Sequence, residues 1–157
     1  TTAHTLSLHD ALPISIRREE FTAYLGGGAA LNNNKIRSSK QQNLENAMLS
    51  FTKPSGKNSN FDFEKSYKEL ADQNLNVRQS GCLSLDLAYV GAGRLDATWA
   101  YDKDLIDIAA GSLIAQEGGA LNSDFNGNPK FLAGNNIISS AAKIHKSALK
   151  SVRPYIS

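Results

Sequence analysis

Residues 104–121 read DLIDIAAGSLIAQEGGAL, and this stretch decides the fold. Nearly all of its residues are apolar or small, and it ends on Gly118 and Gly119, as helices often end on glycine. The pattern predicts a buried helix over residues 107–117. Asp107 stands at the front of this helix, where a carboxylate caps free N–H groups and complements the helix dipole. Taken alone, Asp107 is interpreted as a helix cap rather than a catalytic group.

Strand-like and helix-like segments alternate around this helix. Further helices are predicted over residues 63–73, 81–92 and 141–152. Two short strands around a glycine turn are predicted within residues 20–36. Further strands are predicted over residues 43–51, 95–100, 120–129 and 135–140, and the third of these runs into a turn. Alternation of this kind predicts an α/β layered domain.

The composition is that of an ordinary globular domain. The chain has 157 residues, of which 41% are hydrophobic and 20% charged, so one domain with a real core is expected. The net charge of +2 does not argue for a nucleic-acid partner. Cys82 is the single cysteine, which excludes an internal disulfide and fits a reducing compartment. No apolar run would span a bilayer, so we expect a cytoplasmic protein with no membrane contact.

Residues 5–15, TLSLHDALPIS, match the translation of a widely used short-read sequencing adapter over their whole length. We therefore predict that residues 1–15 are an artefact without a fold and that the domain covers residues 16–157. A natural disordered N-terminus is the alternative. Excluding this segment removes His4 and His9 as candidate metal ligands. His145 then remains, and its lysine-rich helix predicts an ordinary surface residue.

A second helix start lies within residues 78–93, RQSGCLSLDLAYVGAG. Here Gly81 and Cys82 stand where backbone N–H groups would be free, and such a terminus readily holds a phosphate or a hydroxyl oxygen. Gly81 also permits close approach of a ligand. In isolation, a glycine that serves helix packing is the simpler interpretation.

Together, residues 78–99 and 106–127 resemble the C-terminal half of the inositol monophosphatase family. The likeness extends to residues 18–39 and 131–149, in the family's order and spacing. The resemblance implies the C-terminal half of an α-β-α-β-α layered sandwich. It also implies a Mg²⁺-dependent phosphomonoesterase that acts on a small phosphorylated polyol or sugar of the inositol-1-phosphate type. The family often forms dimers, so the resemblance allows a homodimer for a full-length protein.

The resemblance assigns roles to four residues. Asp107 matches the Asp of the family's Trp-Asp pair, which makes it a metal ligand and part of the substrate site. The family's substrate contacts at the other helix start fall on Gly81, Cys82 and Leu83. There the family has Gly, then Ser or Thr, then usually Ala, so Cys82 loses a hydroxyl contact and Leu83 is expected to narrow the pocket.

Other departures concern substrate and catalysis. The Glu with which inositol phosphatases bind a substrate hydroxyl is Ala100 here, and Ile106 replaces the usual Trp. Phosphatases for fructose bisphosphate or adenosine bisphosphate are therefore alternatives. The family's Asp-Pro-(Ile/Leu)-Asp-Gly-Thr motif and upstream Glu do not occur in this sequence. We thus expect a truncated fragment with no complete catalytic set, inactive alone; a non-catalytic binding or regulatory module is the other alternative.

Overall fold

The computed structural model describes residues 10–14, for which only the backbone is described, together with residues 18–54, 61–72 and 76–156. The strands are β1 Asp10–Ile14, β2 Glu19–Tyr24, β3 Gly28–Leu31, β4 Asn34–Lys35, β5 Met48–Thr52, β6 Asn76–Arg78, β7 Ala97–Tyr101, β8 Leu121–Ser123 and β9 Asn136–Ser140. The helices are α1 Phe63–Asp72, α2 Leu83–Gly91, α3 Leu105–Glu117 and α4 His145–Val152, with short 3₁₀ turns at Phe131–Ala133 and Arg153–Tyr155.

These strands form two sheets. The first sheet is antiparallel, with the order β1-β2-β3-β4. The second sheet has the order β6-β5-β7-β9-β8; β6, β5 and β7 run parallel, whereas β9 runs antiparallel to both β7 and β8. Because parallel strands need crossover connections, helices lie between β5, β6 and β7 in the chain.

Helices α2 and α3 form a layer between the two sheets. Toward the first sheet they pack in a cluster that contains Phe21, Ala23, Ala29, Ala88 and Ile114. Toward the second sheet they pack in another cluster, which contains Leu83, Leu87, Ala100, Ile108, Phe131 and Ile137. The predicted burial of both helices is therefore confirmed, with apolar contacts on opposite sides.

The other face of the second sheet is covered by α1 and α4. In β5 and β7, residues with odd numbers, such as Leu49, Phe51 and Trp99, point to this side, while Ala100 points to the other side, as the period of two in a strand requires. Sheet, helix pair, sheet and helix pair thus follow one another. This arrangement confirms the predicted layered α/β fold.

The element boundaries differ from the predicted ones in several places. Strand β5 covers only the end of the predicted 43–51 segment, and α4 begins at His145 because residues 142–144 form a turn. Part of the predicted 51–63 loop lies outside the described residues, as do most of residues 1–15. The adapter origin of residues 1–15 stays a prediction, but the expectation that all of them lack a fold is wrong for residues 10–14, whose backbone pairs with β2 as β1. None of the helices in the described part of the chain has the length and apolar character that crossing a bilayer needs.

Three glycines allow α2 and α3 to touch along their length. A Cβ at Gly111 would lie 2.8 Å from the carbonyl oxygen of Ser84, and one at Gly91 would lie 2.7 Å from that of Ile114. A Cβ at Gly118 would lie 2.4 Å from the carbonyl oxygen of Gly91. Ser84, early in α2, meets Gly111, whereas Gly91, at the end of α2, meets Ile114 and Gly118 further along α3. The two helices therefore run parallel and begin at the same end of the layer.

Gly118→Ala is expected to lower the free energy of unfolding by about 3 kcal/mol, because the new methyl group would meet backbone that is fixed in a packed layer. The φ of −72° at Gly118 suits alanine, so the expected cost is steric alone. Urea unfolding of the 157-residue chain measures it. Gly134→Ala is the matched control, since its Cβ would meet only the Phe131 carbonyl oxygen at 3.7 Å. Equal stability of the two variants would contradict the prediction.

His145 is not the ordinary surface residue that the sequence predicts. Its ring nitrogens bond two serine hydroxyls, Nε2 with Ser123 Oγ at 3.0 Å and Nδ1 with Ser140 Oγ at 2.8 Å. Ser123 lies on the edge strand β8 and Ser140 on its neighbour β9, so the half-buried imidazole joins the start of α4 to that side of the second sheet. Burial lowers the pKa of His145 below its ordinary value.

This lowered pKa sets the direction of a pH effect on stability. The unfolded chain, with an ordinary histidine pKa near 6.5, binds the proton more readily than the folded chain. The stabilising contribution of neutral His145 is therefore complete above about pH 6.5 and is lost as the pH falls below it. We expect the unfolding free energy of the wild-type chain to decrease on acidification more steeply than that of His145→Gln. Equal slopes in urea titrations across this pH range would contradict the assignment.

Candidate active site at the shared start of two helices

The carboxyl edge of the parallel strands is where the candidate site lies. Helix α2 follows β6 and α3 follows β7, so both helices begin at this edge. In open α/β sheets, ligands bind outside the carboxyl ends of the strands, where helix N-termini converge. The fold therefore brings together the two helix starts that the sequence analysis singled out separately.

A hydrogen bond fixes the two helix starts to each other. Ser84 Oγ in the first turn of α2 donates to the Asp107 carbonyl oxygen in the first turn of α3, at 2.8 Å. Gly111, one turn further along α3, lies against the same part of α2. The substrate residues predicted on α2 and the metal ligand predicted on α3 consequently lie at one end of the helix layer.

Asp107 is not the cap of α3, so this part of the sequence interpretation is wrong. The helix begins at Leu105, and Asp104 occupies the N-cap position without a side-chain cap bond. Asp107 lies two residues into the helix, and its N–H donates to the Asp104 carbonyl oxygen at 3.1 Å. Its side chain is exposed, and within the described residues its carboxylate has no hydrogen-bond or ion-pair partner. The physical reason for a carboxylate here is therefore not capping.

An exposed, unpartnered carboxylate is a suitable oxygen ligand for Mg²⁺. One carboxylate cannot hold this ion alone, because Mg²⁺ prefers octahedral coordination. Among the described residues, no group of three or more His, Cys, Asp or Glu side chains could hold a metal ion. The donor set of this chain thus fits one ligand of a metal site and not a complete site.

The start of α2 has the conformation that the glycine pattern predicts. Gly81 adopts a φ of +77°, which side chains rarely adopt, and a Cβ there would meet nothing within 4 Å. Cys82 is the N-cap residue, with an exposed thiol and no side-chain cap bond. The first N–H groups of α2 have no intrahelical partner, so they can serve an anion.

Leu83 lies inside the protein, and its expected narrowing of the pocket stays a prediction. Its side chain is buried and belongs to the same apolar cluster as Ala100, Leu87 and Phe131. Leu83, which replaces the family's Ala, and Ala100, which replaces its Glu, therefore lie in one cluster. The position at which the family resemblance implied a carboxylate is thus part of a buried apolar cluster, which we call the apolar floor.

Two polar side chains that the sequence analysis did not single out lie close to this floor and the α2 start. Thr52 Oγ1 is buried without a hydrogen-bond partner at the end of β5, in register with Ala100. Asp86 is buried on α2, and its Oδ2 accepts a hydrogen bond from Ser50 Oγ at 2.5 Å. Burial raises the pKa of Asp86, while hydrogen bonds from Ser50 and Ser80 act in the opposite direction. A carboxylate inside an otherwise apolar helix was the signal available in the sequence.

Comparisons with known proteins give matches over most of the chain. A family model described as the inositol monophosphatase family matches residues 11–157. A Nus factor SuhB from Pseudomonas aeruginosa is 41% identical over 144 residues, which cover 90% of this chain and 53% of that protein. A Nus factor SuhB from Escherichia coli is 32% identical and is matched over 54% of its length.

Solved structures with the same architecture agree with this match. An IMPase from Thermotoga maritima superposes with a TM-score of 0.78 at 31% identity, covering 89% of this chain and 53% of that one. An IMPase/NADP phosphatase, solved with NADP and Ca²⁺, superposes with a TM-score of 0.75 at 25% identity, covering 90% of this chain and 53% of that one. The chain thus spans about half the length of the relatives it matches.

Proposed function

The chain belongs to the inositol monophosphatase family, and from this premise we propose that it forms the C-terminal half of a Mg²⁺-dependent phosphomonoesterase for a small phosphorylated polyol or sugar. The observation that carries the proposal is the bond between Ser84 Oγ and the Asp107 carbonyl oxygen, at 2.8 Å. It brings a phosphate-binding helix start and a free carboxylate to the same edge of the sheet.

In this proposal each part of the edge has a separate role. The backbone N–H groups at the start of α2, next to Gly81, Cys82 and Leu83, hold the phosphate oxygens of the substrate. The Asp107 carboxylate supplies one oxygen ligand to Mg²⁺. When bound, Mg²⁺ would polarise the phosphate and lower the pKa of an attacking water. The Cys82 thiol, a weak hydrogen-bond partner, leaves the phosphate contact to the backbone.

The remaining metal ligands are proposed to come from polypeptide that the relatives carry before the part matched here. The chain covers 53% of the Pseudomonas aeruginosa relative. The Asp-Pro-(Ile/Leu)-Asp-Gly-Thr motif does not occur in the sequence of the 157-residue chain. On this proposal the 157-residue chain is inactive alone, residues 1–15 derive from an adapter, and the domain covers residues 16–157, although the family model begins its match at residue 11. The full-length protein is proposed to be cytoplasmic and to form a homodimer.

The apolar floor favours a substrate other than inositol-1-phosphate. Ala100 and Leu83 offer no polar group to a substrate hydroxyl, whereas Thr52 Oγ1 beside Ala100 offers one neutral hydroxyl. Fructose bisphosphate and adenosine bisphosphate are the alternatives. The relative solved with NADP supports including adenosine phosphates in any substrate panel.

The decisive experiment is to sequence the source gene upstream of the codon for Ile16 and to assay the full-length product with Mg²⁺. Phosphate release from a sugar, polyol or adenosine phosphate, absent from the 157-residue chain, supports the proposal. An inert full-length product with intact upstream carboxylates would overturn it. An open reading frame that truly contains residues 1–15 would overturn the adapter assignment.

The names of the relatives favour a second candidate function. Relatives at 41% and 32% identity are called Nus factor, which suggests contact with the transcription machinery and does not agree with the expectation of no nucleic-acid partner. This candidate corresponds to a binding or regulatory module. Co-purification of RNA polymerase with the tagged full-length product tests it. Equal recovery of RNA polymerase with the Asp107→Asn variant would show that this role does not depend on phosphatase activity. If the wild-type product recovers no polymerase, the candidate function is excluded.

A further inference from the structure

A cavity outside the candidate active site lies between the edge strand β6, strand β5 and helix α2, and we call it the β6 cavity. Its volume is about 330 Å³, at the lower end of the range for small-molecule sites. Gly81, Cys82 and Asp107 do not line it, so the groups proposed to hold phosphate and metal are not part of it. The β6 cavity therefore suits a small ligand that is separate from the proposed substrate.

The inner end of the β6 cavity carries a buried carboxylate. Asp86 on α2 is 2% exposed, and its Oδ2 accepts the Ser50 hydroxyl at 2.5 Å. Within the described residues, no hydrogen bond reaches its Oδ1 and no basic side chain forms an ion pair with it. A buried carboxylate costs free energy unless it is paired and hydrogen-bonded, and burial raises the pKa of this group. One oxygen of Asp86 is thus available to a donor in the cavity.

The outer end of the β6 cavity carries a guanidinium group. Arg78 is exposed and lies opposite Ser50 in the pairing of β6 with β5, so it shares the face of the sheet on which Ser50 bonds Asp86. Its Nε donates to Met48 Sδ at 3.1 Å. Arg78 and Asp86 both line the cavity, yet they form no ion pair with each other. Two opposite charges are therefore separated by space that a ligand can fill.

The wall between these charges is partly apolar. Leu95 is buried, Tyr89 is half-buried, and both side chains line the β6 cavity. An apolar lining with a few polar groups that fix orientation is typical of small-molecule sites. A ligand with only a positive charge would be repelled by Arg78, and one with only a negative charge would be repelled by Asp86. The charges thus favour a ligand that carries both signs and a hydrocarbon part.

We propose that the β6 cavity binds a small zwitterion of the amino-acid class, with its ammonium group at Asp86 and its carboxylate at Arg78. The ammonium donates to the free oxygen of Asp86, and the guanidinium donates to the ligand carboxylate; both are charge-assisted hydrogen bonds. The aliphatic part of the ligand contacts Leu95 and the Tyr89 ring. This inference does not depend on the proposed phosphatase activity, because it uses no residue of that site.

Titration of the 157-residue chain with L-valine or 5-aminovalerate, followed by amide NMR shifts, tests the proposal. The two zwitterions have the same atoms but a different separation of charges. Isobutylamine and isovalerate are matched probes, since each keeps the branched carbon chain of valine with only one of its charged groups. We expect at least one zwitterion to shift the amides of Ser50, Arg78 and Asp86 with a Kd of about 1 mM or below. The probes with one charge should bind about tenfold more weakly, as for the loss of one charge-assisted hydrogen bond.

The two probe sets also define the results that would contradict the proposal. If neither zwitterion shifts these amides, the β6 cavity is not a site for this class of ligand. If isobutylamine binds as tightly as the zwitterions, the carboxylate at Arg78 contributes nothing and the assignment of a zwitterion is wrong.

Substitutions at the two ends of the β6 cavity separate the two contacts. Arg78→Gln, at an exposed position that does not endanger folding, should weaken zwitterion binding about tenfold without weakening that of isobutylamine. Asp86→Asn should weaken the binding of both. Arg37→Gln is the matched control, because Arg37 is also exposed and does not line the cavity. Unchanged zwitterion binding in both Arg78→Gln and Asp86→Asn would overturn the proposal.

The same titration of the full-length product shows whether the β6 cavity stays open in the longer chain. Binding to the 157-residue chain but not to the full-length product would mean that the additional polypeptide covers the cavity, and the proposal would be wrong. Phosphate release is not measured in this experiment. A full-length product that releases no phosphate would therefore contradict the proposed function and leave the test of the β6 cavity intact.

Discussion

Asp107→Asn in the full-length product is expected to lower phosphate release about a hundredfold or more, because a metal ligand contributes several kcal/mol to the transition state. Asparagine offers a single neutral oxygen where aspartate offers a charged pair, so the Mg²⁺ concentration for half-maximal activity should also rise. The fold should be unaffected, because the Asp107 side chain is exposed and has no partner within the described residues. Thermal unfolding monitored by circular dichroism should therefore match that of the wild type.

Asp104→Asn is the matched control for this substitution. Asp104 is also exposed, lies one turn earlier at the N-cap of α3, and makes no side-chain cap bond. It carries the same charge near the same helix start, and asparagine is an equally good N-cap. If Asp107→Asn lost turnover only because a negative charge near the start of α3 was removed, Asp104→Asn would lose a comparable amount of turnover. Near-normal turnover in Asp107→Asn would remove this residue from the metal site.

The sequence predicted the α/β architecture well because its signals are local. The apolar stripe of α1 and the glycines after α3 are features of a few consecutive residues, and the structure places helices at Phe63–Asp72 and Leu105–Glu117. The resemblance of residues 78–99 and 106–127 also indicated the family. The meeting of the two helix starts followed from that resemblance and not from either segment alone.

What the sequence could not supply depends on tertiary contacts. The interpretation of Asp107 as a cap failed because α3 starts at Leu105, and helix ends shift by a residue or two with their surroundings. His145 seemed exposed in a lysine-rich segment, yet its two serine partners come from β8 and β9. The partner of Asp86 is likewise remote in sequence, because this helix residue accepts its hydrogen bond from Ser50 on β5.

Ala100 and Leu83 offer the second large effect, in which two substitutions that each destabilise the fold are expected to compensate one another and to change selectivity together. Ala100 is 1% exposed in the apolar cluster that also contains Leu83. Ala100→Glu by itself would bury a carboxylate among aliphatic side chains, and we expect a loss of about 3 kcal/mol or more in unfolding free energy. Leu83→Ala by itself should cost about 3 kcal/mol through the cavity it leaves.

The double variant Leu83→Ala/Ala100→Glu should be clearly more stable than the sum of these losses predicts, because the smaller residue makes room for the larger one and opens the cluster toward the helix starts. Urea unfolding of the 157-residue chain and its three variants gives this coupling directly. In the full-length product, the double variant should raise the ratio of kcat/KM for inositol-1-phosphate to that for fructose bisphosphate by about tenfold, the gain expected from one carboxylate bonded to a substrate hydroxyl. Strictly additive destabilisation would show that the two positions are energetically independent. An unchanged ratio in a well-folded double variant would mean that the apolar floor does not choose the substrate.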